Sequence, residues 1–166
     1  MLLKKLGLAL GPKELASDIL SQKLPSNTYS QFQTELYDNA TIDFPPPLFD
    51  GVKETLELLK NKNRPFFLVS RRKHPEIAEE ILRRYKLWPN FFNKENSFFA
   101  PSKKEKAEKI RSLGIDVYLD DEPSILDEIP FVQDGFLFDP AGAYSTRDGY
   151  KIIRSWKEFS NILGLN

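Results

Sequence analysis

Apolar positions recur at helical spacing over the first forty or so residues, and the pattern changes after Pro45-Pro46-Pro47. In the first part, Pro12 suits a first helical position, and Leu15, Ile19 and Leu20 follow on one face. Thr28-Tyr29-Ser30-Gln31 has the form of a capping box, and Tyr29, Phe32, Leu36, Tyr37 and Ala40 then repeat at helical spacing. Three prolines in a row cannot continue a helix and mark a linker. Residues 1–44 therefore read as a helical segment joined to a separate unit.

Residues 45–166 mix two periods. Val52, Leu56 and Leu59 form a helical stripe that ends at Asn61-Lys62-Asn63-Arg64-Pro65. Pro65-Phe66-Phe67-Leu68-Val69-Ser70 is a short continuous apolar run, the mark of a strand buried on both faces. Pro75 opens a helix carrying Ile77, Ile81, Leu82 and Tyr85, and Phe98-Phe99-Ala100 predicts a short strand. Ser102-Lys103-Lys104-Glu105 is a capping box ahead of a helix through Leu113. Ile115-Asp116-Val117-Tyr118-Leu119 is a second buried strand ending at Asp120-Asp121, followed by a short helix near Ile125 and Leu126. Phe136-Leu137-Phe138 is a third strand, and Ser155-Trp156-Lys157-Glu158 caps a last helix with Trp156, Phe159 and Ile162. Strands alternating with helices predict an α/β fold, a Rossmann-like, mostly parallel sheet with helices on both faces. Ligands in such sheets bind beyond the carboxyl ends of the strands, where Ser70 and Asp120 fall.

Composition narrows the function classes. The 166 residues suit one domain with a helical appendage. Lys+Arg and Asp+Glu each total 24, so the basic excess of a nucleic-acid binder is missing. No apolar run approaches the roughly 18 residues of a membrane span. The opening stretch Met1 to Gly11 is apolar with two lysines, but its apolar core is short. Gly11-Pro12-Lys13-Glu14 reads as a helix start and not a cleavage site, which leaves a cytoplasmic location as the expectation. With no cysteine, thiol catalysis and thiolate metal sites are excluded, and one histidine, His74, leaves little for a Ser-His-Asp triad.

Three features could meet at the strand ends. A hydroxyl at Ser70, with the backbone N–H groups around Arg71 and Arg72, can hold a phosphate oxygen; the plain alternative is a strand-to-helix turn, where serine is common. Adjacent carboxylates at Asp120-Asp121 repel one another, and a bound Mg²⁺ would offset that cost; the alternative is a solvated acidic turn that caps the helix after Pro123. A lysine among Lys103, Lys104, Lys106 and Lys109 could neutralise phosphate charge and hold a carboxylate, although most of such a face is ordinarily solvated.

Leu68-Val69-Ser70 resembles the second motif of the haloacid dehalogenase superfamily, a strand ending in Ser or Thr. The stretch from Lys106 to Asp121 is similar to the third and fourth motifs together, and is the most specific part of a likeness covering roughly residues 45 to 140. Pro47-Leu48-Phe49-Asp50-Gly51-Val52 resembles the passage from the family's cap into the helix before the second motif. The resemblance implies that residues 1–44 are a helical cap-like segment and that Lys106 takes the place of the motif lysine. Ser70 and Arg71 would then bind phosphate, and Asp120 and Asp121 would hold Mg²⁺.

One part of the pattern is missing. The family carries its aspartate nucleophile on the first strand, before the second motif, and no such run precedes Ser70. The domain could be a non-catalytic relative used for binding or assembly, or the strand could come from upstream sequence or a separate chain. Tyr37-Asp38-Asn39-Ala40-Thr41 could be a decayed first motif, though the helical spacing around it argues against this. Phe136-Leu137-Phe138-Asp139-Pro140-Ala141-Gly142 partly resembles the missing motif, which would make Asp139 the nucleophile, facing Ser70 and Lys106; the ordinary reading is a fifth strand ending in a turn with an exposed Asp. The implied ligand is a small phosphorylated molecule, with no nucleic acid and no membrane. A protein partner or homodimer could use the aromatics Trp88, Phe91, Phe92, Phe98 and Phe99, whose plainer fate is core burial.

Overall fold

The computed structural model describes residues 10–34, 47–146 and 148–165. A 3₁₀ turn at Pro12–Leu15 leads into helix α1 (Ser17–Lys23), and α2 covers Ser26–Thr34. Helix α2 starts two residues ahead of the capping box read at Thr28. The expected continuation through Leu36, Tyr37 and Ala40, the run from Tyr37 to Thr41, and Pro45 and Pro46 of the linker lie outside the described residues.

From residue 52 to residue 138 helices and strands alternate as the periodicity predicts, and a further strand then follows without a helix between. Helix α3 (Val52–Asn61) leads to strand β1 (Leu68–Ser70), then α4 (Pro75–Arg84), β2 (Ser97–Phe99), α5 (Lys103–Ser112), β3 (Val117–Asp120), α6 (Pro123–Asp127), β4 (Asp134–Phe138), β5 (Lys151–Ile153) and α7 (Trp156–Ile162). Strand β1 is shorter than its apolar run. Pro65 has no N–H to give a ladder, and Phe67 is 37% exposed, so the run is not buried throughout. Strand β5 has no counterpart in the sequence reading, because Lys151-Ile152-Ile153 is too short to register as a run.

All pairs among the described strands are parallel, and the fold is mixed α/β. Where the sequence predicts one sheet, the described strands form two small ones, β1-β2 and β3-β4-β5. Val69 of β1 pairs with Phe98 of β2, and Leu119 of β3 pairs with Phe136 of β4. One apolar cluster nevertheless spans both sheets: Val69, Ile110, Tyr118, Ile125, Leu126, Ile129 and Leu137 are buried together. A second, aromatic cluster seats α7 on β4 and β5, with Phe136 and Phe159 edge to face at 5.3 Å between centroids. Trp88 is buried, Phe91, Phe92, Phe98 and Phe99 are half-buried, and Phe91 and Phe92 pack against Val52, Leu56 and Leu87. Among the described residues no helix is long and apolar enough to cross a membrane.

Of the three helix starts read from capping signals, those at Ser102 and Ser155 form as read and the one at Thr28 does not. Ser102 Oγ accepts from the Glu105 N–H at 3.1 Å, and Glu105 accepts from the Ser102 N–H at 3.0 Å. Ser155 Oγ accepts from the Glu158 N–H at 3.1 Å. The first of these caps matters for the site, because it fixes the turn that presents Lys106.

Candidate functional site

Strand β1 ends at Ser70 and strand β3 at Asp120, and both ends open on one cleft of about 490 Å³. Ser70, Arg71, Lys106, Asp120 and Asp121 all line it, with Arg72, Lys73, His74 and Glu122 beside them and Ser17, Ser30, Gln33 and Thr34 of the helical segment opposite. Both strands therefore run toward the same rim. The residues from α1 and α2 carried no readable signal, since Ser and Gln on a short amphipathic helix look like any solvated face.

The centre of the cleft is a buried ion pair. Lys106 Nζ donates to Asp120 Oδ2 at 2.6 Å, and the two side chains are only 8% and 7% exposed. Asp120 Oδ1 accepts from the Glu122 N–H at 3.1 Å. The Lys106 ammonium also lies 5.7 Å from the centre of the Tyr118 ring, a cation–π distance. An ammonium has three donors, so the bond to Asp120 leaves two for other acceptors. Ser70 Oγ accepts from the Arg72 N–H at 3.3 Å, a local turn that holds the hydroxyl at the end of β1.

Glu122 ties the rim together. Its carboxylate pairs with Arg71, lies 3.0 Å from Lys103 Nζ, and accepts from Ser124 Oγ at 2.8 Å. Burial pushes the Glu122 carboxyl up, but Lys103, Ser124 and Arg71 outweigh it and hold the group below its ordinary value. Lys103 thus belongs to the site's frame and not to a solvated face. His74 flanks α4 and lies 3.1 Å from Glu76, an exposed local contact.

Asp121 behaves differently from its neighbour. It stands exposed at the cleft mouth, yet packing around the carboxyl and the nearby Asp120 charge raise its pKa. A carboxyl with a raised folded-state pKa holds its proton more tightly folded than unfolded. Its ionisation therefore costs stability as pH rises through the window above the unfolded value near 4. Asp121→Asn is expected to raise the urea midpoint at pH 7, and the gain should vanish near pH 3; equal midpoints at pH 7 would contradict this.

Asp139 is not among the residues lining the cleft. It is 3% exposed, not the exposed turn residue of the ordinary reading, and it accepts from the backbone N–H groups of Ala143 at 2.8 Å and Tyr144 at 2.9 Å. Strand β4 lies between β3 and β5, in the sheet that does not include β1. Each bond to a carboxylate contributes roughly 1.5–3 kcal/mol. Asp139→Ala is expected to lose about 2–4 kcal/mol of stability in urea melts, and phosphate affinity should stay within about twofold of wild type.

Mg²⁺ takes six oxygen ligands, several of them commonly waters. Asp120 and Asp121 offer two carboxylates, one already held by Lys106. Among the described residues no group of three His, Cys, Asp or Glu side chains is placed to hold a metal ion. The chain matches no protein-family model, and neither curated proteins nor solved structures give a significant match.

Proposed function

We propose that this chain is a haloacid-dehalogenase-like domain, Rossmann-like in its core, whose cleft binds small phosphate-bearing molecules without hydrolysing them unaided. The observation that carries this reading is the meeting of Ser70, Arg71 and Lys106 beside Asp120-Asp121 on one strand-end rim. A phosphate oxygen there meets the Ser70 hydroxyl and the two remaining donors of Lys106. Four cationic side chains, Arg71, Arg72, Lys73 and Lys106, face the carboxylates of Asp120, Asp121 and Glu122, so the anion preference is modest and salt-sensitive.

Turnover needs more. Covalent phosphoryl transfer requires a nucleophile placed to within a fraction of an ångström, and loss of one costs several orders of magnitude in rate. Both oxygens of Asp139 are already bonded to backbone N–H groups, which supports binding over catalysis.

Calorimetric titration with p-nitrophenyl phosphate, paired with an assay for released nitrophenol, tests both halves. Binding is expected in wild type, about three- to tenfold weaker in Ser70→Ala, with no hydrolysis above buffer with or without Mg²⁺. Hydrolysis that disappears in Asp120→Ala would replace this reading with a phosphatase. Absence of binding would remove the anion cleft altogether.

A further inference from the structure

Glu122 occupies the N-cap position of α6, where a polar side chain ordinarily accepts from the first turn of its own helix. It makes no such bond. Its carboxylate holds side chains instead, and two of them are cations from other parts of the chain. Glu122 Oε2 accepts from Arg71, in the loop after β1. Glu122 Oε1 lies 3.0 Å from Lys103 Nζ, at the start of α5, and accepts from Ser124 Oγ at 2.8 Å. Lys103 Nζ also donates to Ser124 Oγ, which closes a small ring of bonds around that oxygen. A carboxylate anchored through one oxygen cannot turn freely, so its other oxygen keeps a set direction. Arg71 and Glu122 both line the cleft, while Lys103 is not among the lining residues. The strands that lead to Arg71 and Glu122 lie in separate sheets, so this pair links the two loops directly.

We propose that Glu122 is a positioning residue for the anion site: it holds the Arg71 guanidinium ready at the rim where a phosphate meets Ser70 and Lys106. The side chain of Arg71 is 32% exposed and that of Glu122 is 11% exposed, so a ligand reaches the guanidinium while the carboxylate behind it is shielded. A guanidinium carries five donors in a rigid plane. The bond to Glu122 engages one terminal nitrogen, and donors remain on the rest of the fork for an anion. The gain is preorganisation. An untethered arginine samples many rotamers, and ordering it at the moment of binding costs about three- to tenfold in affinity. Charge alone predicts the reverse. Glu122 is a carboxylate lining an anion cleft, and repulsion says that its removal should tighten phosphate binding. Lys103 matches part of that charge from behind, which leaves the positioning effect as the larger of the two. The inference rests on the anion reading and deepens it, by naming the residue that sets the geometry of the cleft.

The probe is inorganic phosphate, titrated calorimetrically into the full chain at fixed ionic strength. Glu122→Gln is expected to bind it about three- to tenfold more weakly than wild type. Equal or tighter binding would overturn the proposal, because repulsion would then be the larger effect. Arg71→Ala should weaken binding at least as much, and an Arg71→Ala protein that binds like wild type would also overturn it. With Arg71→Ala already in place, Glu122→Gln should cause no further loss, since no guanidinium is left to hold. A loss of the same size in both backgrounds would mean that Glu122 acts through the fold and not through Arg71. A second measurement needs no variant. The side-chain Nε–H resonance of Arg71 in ¹⁵N-labelled wild type should be resolved before phosphate is added, and should shift on the same saturating curve as the Ser70 amide. A resonance that stays in place would remove Arg71 from the site and the proposal with it. Wild type that binds no phosphate ends the anion reading itself; wild type that binds, with Glu122→Gln unweakened, ends this inference alone.

Discussion

Lys106→Met should lose about 3–5 kcal/mol of folding stability, the largest effect expected of any single substitution in the cleft. Methionine preserves most of the length and apolar surface of the stem but leaves Asp120 buried without its counter-ion. The side chain of Asp120 is 7% exposed and also accepts from the Glu122 N–H, so little solvent reaches it to take over the role of the ammonium. A domain of ordinary stability holds about 5–15 kcal/mol, so much of the total is at stake. The double variant Lys106→Met with Asp120→Asn removes both charges and should recover part of the loss, because the penalty lies in the uncompensated carboxylate more than in the missing attraction. Urea melts of the three proteins give the comparison. A Lys106→Met variant within about 1 kcal/mol of wild type would mean that the pair is more solvated than its geometry indicates.

Ile110→Ala ranks second, at about 2–5 kcal/mol. Ile110 is 0% exposed and lies in the cluster that includes Val69 of β1, Tyr118 of β3 and Leu137 of β4. Truncation there opens a cavity at the place where the two sheets share a core, and neighbours held in strands can relax only partly. Ile162, on α7 and 47% exposed, is the control; Ile162→Ala should change stability by no more than about 0.5 kcal/mol. If both variants melt alike, the shared core is not what joins the sheets.

Local chemistry was legible in the sequence, and long-range pairing was not. The caps at Ser102 and Ser155 formed because each is closed within four residues, Ser102 by a full capping box and Ser155 by its hydroxyl alone. Pro75 and Pro123 opened helices because a fixed φ and a missing N–H suit a first turn. Ser70 and Asp120 came to one rim although β1 and β3 lie in separate sheets, because both strands end on the same cleft. The division into two sheets had no such signal, since strand order depends on hydrogen bonds between residues far apart. Asp139 looked like a turn carboxylate because the N–H groups that bury it come from Ala143 and Tyr144, neither with a side-chain pattern that announces it. The link from Arg71 to Glu122 was equally hidden, because charged residues at two loop starts give no clue that they meet.

The most direct test of the central claim, one anion cleft at the ends of β1 and β3, is a titration of ¹⁵N-labelled protein with inorganic phosphate followed by amide chemical shifts. The account predicts that Ser70, Arg71, Arg72, Lys106, Asp121 and Glu122 shift together along one saturating curve, and that Lys106→Met abolishes the response while remaining folded enough to give a dispersed spectrum. Shifts confined to the outer lysines Lys104 and Lys109, or none that saturate, would contradict it.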